Sequence, residues 1–328
     1  MSILPIVLFL LHCHWIVVCN GFVGIQRRKN PIIYYHHRFQ SSLSSVVVVG
    51  MGKGYVKRPK RQYSSGRGRN DKMKNKLSSL LVEQNLLQKY NYIIGCDEAG
   101  CGAIAGPIVC ASCCIIQPIL STQQQQQQQE MLYQPIPIMD QGDSKVLSPQ
   151  NRKDVYNEIM EKSHNNDNAS YAYTIAICPN DVITKEHTIL KVTMDGFRQC
   201  IEDFILQYSP ILSPTTATTT TNNNKSANDI FYAIVDGNKT PKLTLGPAKH
   251  VSCRPWAKGD ESVYTVALAS VIAKVTRDEY MMTTAHELYP QYGFHMNKGY
   301  STRQHIEAIH KYGPCPLHRT SFKAIQGR

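Results

Sequence analysis

Four carboxylates stand where a folded chain has little reason to put them. Asp97 and Glu98 end the apolar run Tyr92–Cys96, and Asp236 closes the apolar run Phe231–Val235. Asp260 sits in Lys258-Gly259-Asp260, ahead of a helical pattern. Acids at the ends of hydrophobic strands are costly unless they are hydrogen-bonded, paired or holding a cation. Carboxylate oxygens suit Mg²⁺ or Mn²⁺, whereas zinc prefers His and Cys. Two such ions about 4 Å apart, clamped by shared carboxylates, drive in-line attack of water on a phosphodiester. Each acid also has a plain alternative. Asp236-Gly237 can be a strand-ending turn, Asp260 a helix cap, and Asp97–Glu98 a solvated pair. Alone, the four support an oxygen-rich metal site and nothing finer.

The stretch around the first two acids, YNYIIGCDEAGCGAIAGPIVCA over residues 90–111, sets a geometric condition. Side chains alternate along a strand, so Asp97 and Glu98 should face opposite ways. Both reach one site if the strand ends or bends there. Gly100, Gly102 and Gly106 supply the turn and allow a ligand to approach the backbone closely.

The elements that must position these residues follow from periodicity. Residues 92–97 and 107–116 read as two strands of an antiparallel hairpin. Ser148 and Pro149 open a helix through Val155 and Ile159. A strand over 169–178, a helix over 181–207 and a buried strand over 231–237 follow. Ser262–Leu288 reads as one long helix opened by Asp260, with small residues for close packing, and a last helix covers 302–312. Apolar spacing over 71–89 gives a lead-in helix to the first strand. Strands interspersed with helices predict an α/β domain with a mixed sheet over residues 90–328.

Charge and composition say more about the leader than about this domain. The chain has 328 residues and a net charge of +12. Eleven of its 36 Lys and Arg lie in residues 1–70, which hold no Asp or Glu. The remainder carries 25 basic against 24 acidic side chains, so any basic surface on the domain must be local. Residues 3–19 are apolar and suit a signal-peptide core, and residues 23–70 are transit-like. Together they predict a cleaved or disordered targeting leader, with a plastid destination favoured over a mitochondrion. Met51 offers an alternative start with a nuclear or cytoplasmic destination. Imaging of full-length and Met51-start fusions separates these destinations. Seven glutamines at Gln123–Gln129 and the Thr/Asn tract after Thr215 are low-complexity insertions, near 121–130 and 214–228. The eleven cysteines lack zinc-knuckle spacing and read as reduced, structural thiols.

Five collinear blocks then give the chain a resemblance. GCDEAGCGAIAGPIVCA resembles the signature of type 2 ribonuclease H (ribonuclease HII), whose usual form is G-x-D-E-A-G-R-G-x-x-x-G-P-V. Asp143-Ser144-Lys145 with Leu147-Ser148 is similar to its D-S-K-x-L-S. Val235-Asp236-Gly237-Asn238 with Pro241-Lys242-Leu243 is similar to its V-D-G-N block. Lys258-Gly259-Asp260 followed by ALASVIAKVTRD, and the closing YPQYGFHMNKGYSTRQHIEAIHKYGPCPLHRTSF, complete the series.

The resemblance implies a ribonuclease-H-like fold: a central mixed sheet, flanking helices and a small C-terminal helical region. It implies Mg²⁺- or Mn²⁺-dependent hydrolysis of RNA in RNA–DNA hybrids, and incision 5′ of ribonucleotides embedded in duplex DNA. The catalytic and metal-binding acids then map onto Asp97, Glu98, Asp236 and Asp260. Gly100, Cys101 and Gly102 form the turn expected to sense the 2′-hydroxyl through its backbone, and Tyr300 is expected to stack beside the junction sugar. Ser144 and Lys145 are expected at a backbone phosphate. The blocks resemble bacterial-type single chains, which implies a monomer needing no protein partner. The departure is Cys101, where the family has Arg and its charge-assisted contact. Cys101 is expected to weaken substrate binding more than chemistry. The alternative is a hybrid-binding protein with weakened or no cleavage.

Overall fold

The computed structural model describes residues 10–11, 14–19, 22–27, 77, 80–87, 89–116, 135–142, 144–164, 170–183, 188–212, 231–244, 251–322 and 325. Most of the leader, both low-complexity tracts and Asp143 lie outside the described residues. Within the leader, β1 (Leu10–Leu11), β2 (His14–Cys19) and β3 (Phe22–Arg27) form a small antiparallel sheet of their own.

The domain is built on β4 (Tyr92–Ala99) at the centre of a five-stranded sheet. β5 (Ile108–Ile115) and β6 (Tyr171–Cys178) continue antiparallel from one side. β7 (Phe231–Asp236) and β8 (Ser252–Trp256) continue parallel from the other. The sheet is therefore mixed, as its strand and helix pattern predicted. β8 is the strand that periodicity missed. It is an edge strand, largely exposed, and it carries Pro255, a residue that edges tolerate because one face of the ladder is unpaired.

Two layers cover the sheet. Even-numbered residues of β4 and β5 (Tyr92, Ile94, Cys96, Cys110, Cys114) pack against α3 (Ile189–Leu212) through Phe197, Ile201 and Phe204. Odd-numbered residues (Ala99, Val109, Ala111, Cys113) pack against α5 (Tyr264–Met282) and α2 (Pro149–His164). This is the period-2 logic of a strand buried on both faces. Gly95 is what lets α5 lie so close. A Cβ there would stand 2.2 Å from the Thr265 carbonyl carbon and 2.3 Å from the Val266 nitrogen.

Two expected helices have different bounds. The helix read over 181–207 begins at Ile189, where the Thr188 hydroxyl accepts the Lys191 N–H. The long helix read over 262–288 is three pieces: α4 (Gly259–Ser262), α5 and α6 (Thr284–Leu288). Val263, extended at φ −120° and ψ 118°, separates the first two, so Asp260 belongs to its own short turn of helix. Within the lead-in stretch the helix is α1 (Leu81–Leu87), and it is tied to the domain. Buried Glu83 accepts the Thr265 N–H at 2.8 Å and its hydroxyl at 3.1 Å, capping the start of α5 from outside. α7 (Phe294–Asn297) and α8 (Arg303–Tyr312) close a C-terminal helical region around Met281, Tyr292 and Phe294. The nine cysteines of the domain, Cys96 to Cys315, are all free thiols.

Candidate active site

The strand register brings the acids together. β4 and β7 run parallel with Cys96 beside Val235, so Asp97 and Asp236 are level at the same end of the sheet. β4 runs through both acids to Ala99 and ends at the glycine turn that the sequence placed directly after them. Alternation therefore holds, with Asp97 on the α5 face and Glu98 on the α3 face. Glu98 still reaches Asp236 because its position lies beyond the last β4–β7 pair, where no neighbouring strand stands between them. The bend comes later, at Gly100, whose φ is +97°.

The four carboxyls load one another electrostatically. Asp97 is 5% exposed and its pKa stands well above the usual carboxylate range, through burial first and then repulsion from Glu98 and Asp236. Glu98 is raised by burial, with Asp236 and Asp260 adding repulsion. Asp236 is raised by burial and by Asp260. Each acid is also held by a nearby donor. Asp97 Oδ1 accepts the Glu98 N–H at 2.8 Å, and Asp236 Oδ1 accepts the Gly259 N–H at 2.7 Å. Asp260 Oδ2 pairs with Lys145 Nζ at 2.6 Å, a 4% exposed acid side chain against a 75% exposed lysine. Glu98 Oε1 accepts from the Cys101 thiol at 3.4 Å.

These donors draw the acids toward separate partners. Among the described residues, no three His, Cys, Asp or Glu side chains converge closely enough to enclose an ion. The donor set nevertheless fits hard divalent cations. It is all carboxylate oxygen, and its mutual repulsion is the charge imbalance that such a cation relieves.

Ser144 does not face solvent. It is 3% exposed and shares a 2.7 Å hydrogen bond with Ser270 Oγ, whose hydroxyl in turn hydrogen-bonds Asp97. The chain Ser144–Ser270–Asp97 makes Ser144 a support of the acid, while its neighbour Lys145 is the group that projects. Ser270 read in sequence only as a small packing residue of the long helix.

The glycine turn rests on two buried guanidiniums. Arg277 and Arg319 are both 0% exposed. Arg277 donates to the carbonyls of Pro107 (2.9 Å), Lys298 (3.0 Å) and Ala105 (3.0 Å). Arg319 donates to those of Cys101 (3.2 Å), Ala103 (2.7 Å) and Gly106 (3.1 and 2.9 Å). Their forks fix the whole loop from Cys101 to Pro107. The Tyr300 segment is tied to the same loop, with the Gly299 carbonyl accepting from the Ile104 and Ala105 N–H groups. Arg277 also lies 5.2 Å from the Tyr300 ring centroid and Lys274 5.4 Å, within cation–π range. Behind Tyr300, two buried imidazoles form a relay. His305 Nδ1 donates to the Tyr300 carbonyl at 2.8 Å, and its Nε2 lies 3.1 Å from His318 Nε2. His318 Nδ1 accepts the Cys315 N–H at 2.8 Å. That single tautomer set satisfies every ring nitrogen with both rings neutral. Sequence reasoning gave these Arg and His residues no role, although their positions inside the apolar-spaced closing blocks were a usable signal.

Gly100 and Gly102 differ. A Cβ on Gly100 would meet Arg277 Nε at 2.1 Å, while one on Gly102 would meet nothing within 4 Å. Gly102 is exposed and not at positive φ, so the fold itself does not demand a glycine there. Cys101 turns its thiol inward, between Glu98 Oε1 and Thr193 Oγ1 at 3.4 Å each. Burial pushes that thiol up to about 12, so it stays protonated and acts as a neutral donor to Glu98.

Known proteins share this arrangement of blocks. The family model of ribonuclease HII matches residues 94–325, a range that holds all four acids, the glycine turn and Tyr300. The ribonuclease HII of Caldicellulosiruptor bescii is 33% identical over 242 residues, covering 74% of this chain and 91% of that protein. That of Burkholderia cenocepacia is 34% identical over 234 residues, covering 71% and 84%. Among solved structures, ribonuclease H2 from Pyrococcus horikoshii aligns with a TM-score of 0.43 at 19% identity, covering 72% of this chain and 95% of that one. With a family model spanning the whole site and relatives matched over most of their length, the chain belongs to the ribonuclease HII family, endonucleases that hydrolyse RNA in RNA–DNA hybrids.

Proposed function

We propose that this enzyme cleaves the RNA strand of hybrids and also incises duplex DNA 5′ of single embedded ribonucleotides, leaving 3′-hydroxyl and 5′-phosphate ends. Asp97, Glu98, Asp236 and Asp260 would hold two Mg²⁺ or Mn²⁺ ions. When bound, such ions supply activation of the attacking water and neutralisation of the leaving oxygen. The observation that carries the reading is the mutual loading of four carboxyls beside a rigid turn with one sterically free glycine.

The chain's own residues then divide the work. Lys145 neutralises Asp260 and projects far enough to meet a backbone phosphate, which positions the duplex without reading its sequence. The Gly100–Gly102 backbone approaches the sugar, where only the 2′-hydroxyl separates RNA from DNA. The Tyr300 ring, braced by Arg277 and Lys274, forms the opposite wall. No protein partner is invoked, so the purified chain alone should cut both a long hybrid and a duplex with one ribonucleotide in Mg²⁺, and neither in EDTA. Cutting of the long hybrid alone would overturn the incision reading. Binding of both without cutting would support the alternative, a binding protein disabled at Cys101.

Gly100 and Gly102 separate structural from substrate demands. Gly102→Ala should leave the melting temperature within about 1 °C of wild type, as a surface change of small free energy does. Cleavage by that variant should fall at least about tenfold, because a methyl group intrudes where the sugar must come close; a tenfold loss is about 1.4 kcal/mol of transition-state contact. Gly100→Ala should lose both stability and activity, since its φ of +97° and the Arg277 contact both oppose a side chain. Equal thermal effects from the two variants would refute the distinction.

Divalent-ion binding should carry a characteristic pH dependence. Asp97, Glu98 and Asp236 have folded-state pKa values raised above their unfolded ones. Between those values the folded chain binds more protons, so metal-free stability falls as pH rises through the window. His318, lowered to about 4 by burial first and then by His305, acts in the opposite sense between about pH 4 and 6.5. The two contributions separate in the difference between melting temperatures with and without Mg²⁺, because the His pair contributes equally to both. That difference should grow steadily as pH rises from 5 to 8. A difference independent of pH would count against the acids as the binding site.

A further inference from the structure

Asp260 rides on a helix too short to hold itself. α4 has four residues, and isolated helices under about 12 residues are marginal even in favourable sequences. Lys258 enters it at φ +58°, a left-handed conformation that a non-glycine residue keeps only where its surroundings impose it. Contacts from outside this turn must therefore fix it. One is the Gly259 N–H donated to Asp236 Oδ1.

Trp256, the last residue of β8, supplies the others. The strand register sets it beside Asp236, and its carbonyl accepts the Gly237 N–H at 3.0 Å. Its indole N–H donates to Ser262 Oγ at 3.1 Å, and that hydroxyl donates onward to the Lys258 carbonyl at 3.1 Å. An indole nitrogen only donates, whereas a serine hydroxyl both accepts and donates, so the direction of this relay is fixed. The links tie the two ends of α4 to the end of β8. Trp256 thus touches the Asp236 turn through its backbone and the Asp260 helix through its side chain. At 38% exposure, the indole is not there to fill the core.

We propose that Trp256 is a positioning residue, which sets Asp260 against Asp236 for divalent-ion binding. The inference rests on the reading of those acids as metal ligands, and it assigns Trp256 no contact with ion or substrate. Loss of the indole N–H loosens α4 and leaves the sheet intact. Ser262 is exposed, so its hydroxyl then turns to water and no buried polar group is orphaned.

Trp256→Phe, Ser262→Ala, their double variant and Asp260→Asn, each in the full chain, test the assignment. The main readout is the Mg²⁺ concentration that raises the melting temperature by a fixed amount, which follows ion affinity without cleavage. Trp256→Phe should need about three- to tenfold more Mg²⁺ than wild type, the scale of one neutral hydrogen bond. Ser262→Ala should need at least as much, and the double variant no more than Ser262→Ala, because both changes break one link. The metal-free melting temperature of Trp256→Phe should stay within about 2 °C of wild type, as surface changes do. Its affinity for the hybrid in EDTA should be unchanged. Weaker hybrid binding with an unchanged Mg²⁺ requirement would make Trp256 a substrate contact and overturn the proposal, as would additive effects in the double variant. Asp260→Asn separates this inference from the reading it rests on. If that variant needs no more Mg²⁺ than wild type, the metal assignment of Asp260 fails and the role of Trp256 with it. If it needs more while Trp256→Phe does not, the Trp256 inference alone fails.

Discussion

Asp97→Asn should nearly abolish Mg²⁺-dependent cleavage of an RNA–DNA hybrid while making the metal-free protein more stable. The loss follows from the charge. Stabilisation of a phosphodiester transition state by a bound ion is worth several kcal/mol, and each 1.36 kcal/mol is tenfold in rate, so a fall of about a thousandfold or more is expected. The gain in stability follows from the same charge. Asp97 is buried and repelled by Glu98 and Asp236, so its ionised form works against folding. Asn keeps a carbonyl oxygen in the place of the Oδ1 that accepts the Glu98 N–H, and it removes the repulsion. Ser270 can still hydrogen-bond the amide, donating to its oxygen or accepting from its nitrogen, so no buried hydroxyl loses its partner. Sites that hold destabilising charge for function are where such trade-offs arise. The measurements are single-turnover cleavage, hybrid affinity in Ca²⁺ or EDTA, and melting temperature without metal. Cleavage within tenfold of wild type would sink the catalytic assignment, and a lower melting temperature would sink the electrostatic one.

That pairing of effects was only half legible in the sequence. The four acids stood out because they end apolar runs, and period-2 alternation put Asp97 and Glu98 on opposite faces of one strand. It did not say how both could serve one site. The answer is a register, Cys96 beside Val235, that leaves Glu98 one position past the end of its neighbour. Register between strands separated by well over a hundred residues has no local signature. β8 was illegible for a related reason, since an exposed edge strand containing Pro255 shows no alternation. The division of Ser262–Leu288 was hidden because the break at Val263 is set by contacts with α1 and β7 rather than by any residue that opposes helix. The resemblance put Ser144 and Lys145 together at a backbone phosphate, without saying how each side chain is turned. Only packing against Ser270 shows which of the two side chains turns inward.

The least legible part was the scaffold of the turn, and there Arg319 should matter most. Arg319→Met should lower the melting temperature by roughly 6–12 °C, which for a domain of this size corresponds to about 3 kcal/mol. Arginine is almost never fully buried unless paired, yet Arg319 and Arg277 are both inaccessible, and among the described residues neither has an acid in its fork. Carbonyl oxygens take the place of a carboxylate. Burial, with Arg277 adding repulsion, lowers the Arg319 pKa to about 10, which leaves it charged at neutral pH. Removing it costs the carbonyls of Cys101, Ala103 and Gly106 their donors, at about 1–3 kcal/mol each for a buried unsatisfied group. Relief of the buried charge offsets part of that sum, which is why the net is a few kcal/mol rather than more. Arg319→Lys distinguishes charge from geometry. An ammonium keeps the charge but cannot span three carbonyls with a planar fork. If the fork sets the turn that meets the sugar, the Lys variant should lose at least about tenfold in kcat/KM, an effect of about 1.4 kcal/mol. The loss should be larger on a duplex with a single ribonucleotide than on a long hybrid, because the single site offers one 2′-hydroxyl to find. An Arg319→Lys enzyme with wild-type stability and unchanged activity on both substrates would show that any buried cation suffices, and the positioning role would fall.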